Sequence, residues 1–219
     1  MYALFERYYL ATTPELFASD LAGKDTVFLL RDAQERLCGF STLAVSRMEV
    51  DGKRVRIVFS GDTIIDRAHW GSQTFAFSWL RHIGRIALDE PETPLYWLLI
   101  VKGHRTYRYL PAFGVAFTPD WRRPADARLE AVKHAVARAR FGRAYDQEAG
   151  VVRHAESRGH LAPEWGSVSA REALRPDVNF FLQRNPGYVR GEELVCLCEL
   201  APDNMRPLTR RLFLQGVQA

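Results

Sequence analysis

Between Lys53 and Val101 the hydrophobic period of the chain changes twice, and this limits the fold more than any other feature of the sequence. In Lys53–Ile65, Val55, Ile57 and Phe59 alternate with Arg54, Arg56 and Val58, the period of two that sends successive side chains to opposite faces of a strand. From Ser72 the period becomes 3.6. Phe75, Trp79, Leu80, Ile83, Ile86 and Ala87 share one helical face, while Gln73, Arg81, His82, Arg85 and Asp89 fall mostly on the other. Pro91 and Pro94 end the helix, and Leu95–Val101 is an unbroken apolar run, the pattern of a strand buried on both faces. Strand, helix and buried strand predict a right-handed crossover with the two strands parallel. At Trp70-Gly71-Ser72, where strand passes into helix, unpaired N–H groups and the positive end of the helix dipole predict a cradle for an anion such as phosphate.

The flanking segments extend this unit. Ala3–Leu10 and Pro14–Leu21 read as short helices, the second with Pro14 at its first position and Thr12 or Thr13 as cap. Thr26–Arg31 and Leu37–Val50 read as strands, and Asp51-Gly52 as a hairpin turn, so three antiparallel strands are expected to end at Ile65. Arg105–Leu110 reads as a short helix interrupted at Pro111 and closed by Gly114. Pro124–Phe141 reads as a helix with an apolar stripe of Leu129, Val132, Val136 and Ala139, opened by Pro124 and ended by Gly142. Arg143–Ser169 is polar and is expected to be a long loop with a short helix near Gly150–Arg158. Helices over Ala170–Leu174 and Val178–Arg184, a turn at Asn185-Pro186-Gly187 and a strand over Gly191–Leu200, paired beside Leu95–Val101, complete the expectation.

A chain of 219 residues that is 47% hydrophobic can bury a full core, so a single domain over residues 1–219 is expected. The N-terminus lacks the layout of a signal peptide and no apolar run approaches the roughly 18 residues of a membrane span, from which a cytoplasmic location is expected. Cys38, Cys196 and Cys198 do not form a metal knuckle and read as buried small hydrophobes, and His134, His154 and His160 are too dispersed for a zinc motif. No metal is therefore expected. Nucleophile-elbow, phosphate-loop and dinucleotide-binding motifs are absent from the sequence. Lys102–Arg143 carries ten basic residues against three acids, a local +7 within a net +4. Such asymmetry points to an acidic partner, whether a phosphorylated cofactor, an acidic carrier protein, a nucleic acid or an anionic membrane surface, or else to a solvated basic helix face.

In its order of elements, two helices, a three-strand meander, a helix, a buried strand and a short helix, the chain resembles the GNAT superfamily of N-acyltransferases over residues 1–117. The resemblance implies an α/β fold with a mixed, mostly antiparallel central sheet and flanking helices. Residues 118–169 would then be a basic helix and loop insertion, and 170–219 a C-terminal helix and the strand completing the sheet. It implies transfer of an acyl group from a phosphopantetheine thioester, acyl-coenzyme A or an acyl-carrier protein, to a small-molecule amine. The family's cofactor turn, Val-x-Pro-x-x-Arg/Gln-Gly-x-Gly-x-Gly/Ala, falls on Ile65–Phe75. Gly71 is kept, while Arg67, Trp70, Gln73 and Phe75 stand where the family has Pro, Arg or Gln, Gly and a small residue. By this resemblance Arg67, Trp70, Gly71, Ser72, Gln73 and Thr74 would hold the pyrophosphate, with Phe75 crowding the approach. The family's base on its fourth strand corresponds to Asp62 and its acid to Tyr107 or Tyr109; His69 and His104, near the two strand ends, are further candidates for the base. The alternative expectation is a non-catalytic GNAT-like module that binds an acidic carrier protein or nucleic acid through the basic stretch; peripheral membrane contact by the basic helix is a weaker one.

Overall fold

The computed structural model describes residues 1–218. Helix α1 (Tyr2–Phe5), strand β1 (Tyr9–Leu10) and helix α2 (Pro14–Ala22) lead into β2 (Thr26–Arg31), β3 (Leu37–Val50) and β4 (Lys53–Ile65), from which α3 (Thr74–Asp89) crosses to β5 (Leu95–Val101). The second half holds α4 (His104–Tyr107), α5 (Tyr109–Phe113), α6 (Ala127–Phe141), β6 (Tyr145–Asp146), β7 (Val151–Val152) and β8 (His160–Leu161). It closes with α7 (Pro163–Gly166), α8 (Ala170–Ala173), α9 (Pro176–Arg184), β9 (Glu193–Glu199) and α10 (Pro207–Val217).

Seven strands form one mixed sheet in the order β2-β3-β4-β5-β9-β7-β6. Only β4 and β5 pair in parallel, as a strand–helix–strand crossover requires; the other pairs in this sheet are antiparallel. The periods that define β2 to β5 thus produce the expected elements, and β9 pairs beside β5 from Tyr96↔Glu199 to Val101↔Leu194. This is a GNAT-like α/β architecture.

One sheet face packs on α3, α5, α9 and α10 through a core that includes Trp79, Leu80, Ile83, Trp97, Phe181 and Leu212. The other packs on α6 through Ile57, Phe59, Leu98, Val132 and Val136, and on α1 and α2 through Phe5, Phe17, Phe40 and Ile64. Helix α3 is held at its middle and at its C-terminus. Its flank meets α10 so closely that a Cβ at Gly216 would collide with the Arg81 carbonyl. At its C-terminus the buried Arg56 guanidinium donates to the carbonyls of Ile86 (2.7 Å), Ala87 (3.2 Å), Glu90 (2.7 Å) and Thr93 (3.3 Å), placing a cation where the helix dipole is negative.

Several local expectations change. The first helix stops at Phe5, because Tyr9 and Leu10 pair with Leu161 and His160 instead. The sixth helix is capped by Asp126, whose carboxylate accepts from Arg128 N (2.9 Å) and Leu129 N (3.0 Å), rather than opened by Pro124. Pro111 lies within α5 and does not interrupt it. No helix forms over residues 150–158, where β7 instead joins β9. The basic stretch is not one open face, since Lys102, Arg105, Arg108, Arg122, Arg128 and Lys133 are paired with Glu193, Glu172, Asp177, Asp120, Glu199 and Glu130. Among the described residues no helix is long and apolar enough to cross a membrane.

Candidate functional site

The site begins where two paired strands part. Parallel pairing of β4 with β5 runs from Arg56↔Leu95 to Ser60↔Leu99 and then ends. Beyond it, β4 stays with β3 and β5 stays with β9, so a wedge opens between Gly61–Ile65 and Ile100–Val101. Trp97 lies near its apex and donates from Nε1 to Ser60 Oγ (2.8 Å). A cleft of about 1510 Å³ occupies the wedge and is lined by residues of both cores, from Trp79 and Trp97 to Phe59 and Val136.

A bulge sets the direction of Asp62. Ser41 pairs with Thr63 and Leu43 with Ser60, so Gly61 and Asp62 together oppose Thr42 alone. Before the bulge, odd residues of β4 such as Phe59 pack on the α6 core; after it, the even residue Ile64 packs on α1 and α2. This slip of one residue sends Asp62 to the same side as α2. A Cβ at Gly61 would displace the Lys24 and Thr42 side chains, which fill that space.

Asp62 is half-buried, lines the cleft and has no hydrogen-bond or ion-pair partner among the described residues. Desolvation pushes its carboxyl from 3.8 up to about 6; Lys102 and Lys24 oppose the rise and Asp20 and Glu193 add to it. Around it, Lys24 is tied to Asp20 through both carbonyl and carboxylate. Lys102 lies 3.6 Å from Glu193, donates to Arg158 O (3.3 Å) and sits 5.4 Å from the centre of the Tyr9 ring. Burial raises the Glu193 carboxyl, with Lys102 opposing, and raises the Tyr9 phenol, with Asp62 adding to the rise. Desolvation lowers His154, whose Nε2 is 3.9 Å from Glu193.

The opposite wall is the start of α3. Trp70, Gly71, Ser72 and Gln73 line the cleft, and the first turn of α3 has no side-chain cap. Gly71 takes φ +89°, and a Cβ there would meet nothing within 4 Å. Ser72 donates to Thr74 Oγ1 (3.3 Å), and Thr74 opens the helix. The Phe75 ring packs edge-on against Phe28 of β2, centroids 6.1 Å apart, so its bulk joins α3 to the sheet while forming part of the wall. Trp70 donates from Nε1 to Ile65 O (2.8 Å) and meets Trp165 edge-on, with Arg105 over its own ring; Arg67 lies over Trp165. Asp66 caps the turn Arg67–His69 and pairs with Arg7 (2.7 Å), a role separate from the start of α3. An uncapped helix start beside a left-handed glycine, at the mouth of the wedge, is a feature that can accept an anion.

The remaining sequence candidates separate. Tyr109 lines the cleft against Phe113, and desolvation raises its phenol. Tyr107 is sealed behind it among Phe117, Trp121, Phe180 and Phe181, with its hydroxyl donating to Pro119 O (2.7 Å). His104 borders the cleft but is buried 3.6 Å from Glu172, and desolvation lowers it. Arg67, His69 and Thr74 do not line the cleft. Residues that sequence reasoning did not single out for the site, Tyr9, Asp20, Lys24, Lys102, Glu193 and Arg140, supply most of the charge and polarity around Asp62. Only Lys102 and Glu193 carried a signal, as charged residues at the facing ends of two apolar strands. Among the described residues no cluster of His, Cys, Asp or Glu is arranged to hold a metal ion.

No family model and no curated protein sequence matches the chain. Among solved structures it is similar to a mutant AtaT toxin bound to the C-terminus of the antitoxin AtaR and acetyl-CoA, with 18% identity over 40% of this chain and 56% of that chain and a TM-score of 0.32. A mutant BH1408 protein from Bacillus halodurans gives 17% identity over 42% of this chain and 58% of that chain, with a TM-score of 0.33. A conserved protein of unknown function from Enterococcus faecalis, a probable N-acyltransferase, gives 15% identity over 91% of this chain and 61% of that chain, with a TM-score of 0.38. The chain thus spans 56% to 61% of the length of these solved chains. Sheet order and the parting of β4 from β5 give a GNAT-like fold with a cleft at the wedge.

Proposed function

We propose that this protein is an N-acyltransferase that moves an acyl group from a phosphopantetheine thioester to an amine. The observation that carries the reading is Asp62, an unpartnered carboxylate at a strand bulge, facing the gap between β4 and β5. With a carboxyl pushed up to about 6, Asp62 is ionised at neutral pH and more basic than an ordinary aspartate, as a group that takes a proton from an ammonium must be. The freed nitrogen then attacks the thioester carbonyl; a C–N bond forms and the C–S bond breaks. Tyr109, whose raised phenol remains protonated at neutral pH, gives a proton to the departing thiolate. The nitrogen sheds a second proton as the amide forms, which balances the one supplied by Tyr109, and Asp62 returns its proton to solvent.

The donor enters from the α3 side, with its phosphates against the turn Gly71–Gln73 at the start of the helix, and is acyl-coenzyme A or an acyl-carrier protein. The amine enters from the α2 and α6 side. A rise in melting temperature with coenzyme A, and amide formation from an acyl-coenzyme A and a primary amine, are the expected results. No thermal shift together with no transfer from acyl-coenzyme A or acyl-carrier thioesters would sink the proposal.

A further inference from the structure

The wall that faces the amine holds three carboxylates, Asp20, Asp62 and Glu193, and most of its charges cancel internally. Lys24 is held by Asp20 and Lys102 by Glu193. Three charges that line the cleft are left without an ion pair among the described residues: Asp62 and, of opposite sign, Arg158 and, on α6, Arg140. Its guanidinium lies over the Phe59 ring, 3.7 Å from the centroid, and Phe59 stands three residues before Asp62 on β4. A guanidinium seated over a ring can still offer its N–H groups, as paired hydrogen bonds to a carboxylate require, and Arg140 donates to no other group among the described residues. Arg158 also borders the cleft, but its guanidinium makes no hydrogen bond or ring contact among the described residues that would orient it.

We infer that the acceptor is a zwitterion, a free amino acid whose ammonium meets Asp62 and whose carboxylate meets Arg140 across Phe59. Phe17, Met48, Val136 and Phe141 line the surrounding space and suit an apolar side chain. A plain amine would satisfy Asp62 and leave Arg140 with no counter-charge but Asp20, which lies beyond ion-pair distance and is already held by Lys24. This inference takes its chemistry from the acyl-transfer reading, but the binding it requires needs no donor, so the two fail separately.

The test is calorimetric binding of each common L-amino acid to the full chain without donor, beside its decarboxylated amine and its amide. The best amino acid should bind about tenfold or more tightly than either analogue, the difference expected of one charge-assisted pair. R140Q should reduce its affinity to that of the amine and leave the amine's affinity unchanged, which also shows that the variant is folded; R140K should restore part of the loss. D62N should weaken amino acid and amine alike. Equal or absent binding of every amino acid and its amine would overturn the inference, as would a loss of selectivity in R158Q but not in R140Q. Selective binding without acyl transfer would uphold the zwitterion site and reject the transferase reading.

Discussion

The two walls of the cleft are made of different materials. On the α3 side the groups offered to a ligand are backbone amides and aromatic rings, with Gly71 in a conformation that few other residues adopt at low cost. On the α2 and α6 side they are ionisable side chains brought together from Tyr9, Asp20, Asp62, Lys102, Arg140 and Glu193. An amide donates whatever side chain it carries, so the α3 wall can lose glycines, as at Gln73, and keep its donors. The charged wall is less tolerant where its charges are paired, because changing one member of Lys24–Asp20 or Lys102–Glu193 leaves the other without its partner. Substitutions should therefore divide sharply by wall.

The largest effect is expected at Asp62. D62N should lower kcat/KM by about 10²- to 10⁴-fold, the range for loss of a general base, while coenzyme A binding stays the same. In the wild type the rate should rise with pH through about 6, as the carboxyl ionises and can accept a proton, and D62N should lack that limb. Stability should move the other way. The Asp62 carboxyl is raised from 3.8 to about 6 on folding, so the folded chain holds this proton more tightly than the unfolded one. Its contribution is fully present below 3.8 and is lost as pH rises through about 6. D62N should consequently melt higher than wild type at pH 8, with the gap closing as the pH falls towards 4. A variant both inactive and less stable at pH 8 would show Asp62 to be a structural residue.

Arg56 tests how rigidly the backbone wall is held. R56M removes the guanidinium from four carbonyls beneath the C-terminus of α3 and should destabilise the fold by about 3 kcal/mol, measured by urea denaturation. The next effect separates two tyrosines. Y109F should lower kcat by about 10- to 100-fold with donor KM unchanged, if the phenol supplies the leaving thiolate. Y107F should leave kcat as it is and lower stability by about 1 kcal/mol, through the lost bond to Pro119 O. The opposite pattern would move the acid to Tyr107 and require that its aromatic seal open.

The same division governs how much the sequence reveals. Strands β2 to β5 and helix α3 are legible because hydrophobic period is a local property, and the Asp51-Gly52 turn fixes the register between β3 and β4. Strands β1, β6, β7 and β8 are two residues each; they have no period of their own and exist through pairing with distant chain. Arg56 reads as an outward residue of an alternating strand, and only the position of α3 makes it buried. Asp62 stands out beside Gly61, and the backbone wall is visible at Trp70-Gly71-Ser72. The charged wall is legible only at Lys102 and Glu193, which end two apolar strands; Tyr9 and Arg140 join them only after the sheet has closed.

Gly71 gives the smallest and most specific effect. A Cβ there meets no other atom within 4 Å, so the cost of G71A in the free protein comes from φ +89° alone and should be about 1 kcal/mol. If the turn Gly71–Gln73 holds the donor's phosphates, that Cβ also stands where the ligand approaches, and donor KM should rise by more than the change in stability explains. Acceptor KM should not move, since the charged wall lies across the wedge. Steady-state kinetics with each substrate varied in turn, beside a denaturation curve, separates the two effects. An equal rise in both KM values would mean that the walls are mechanically coupled through β4, and an unchanged donor KM would place the phosphates away from this turn.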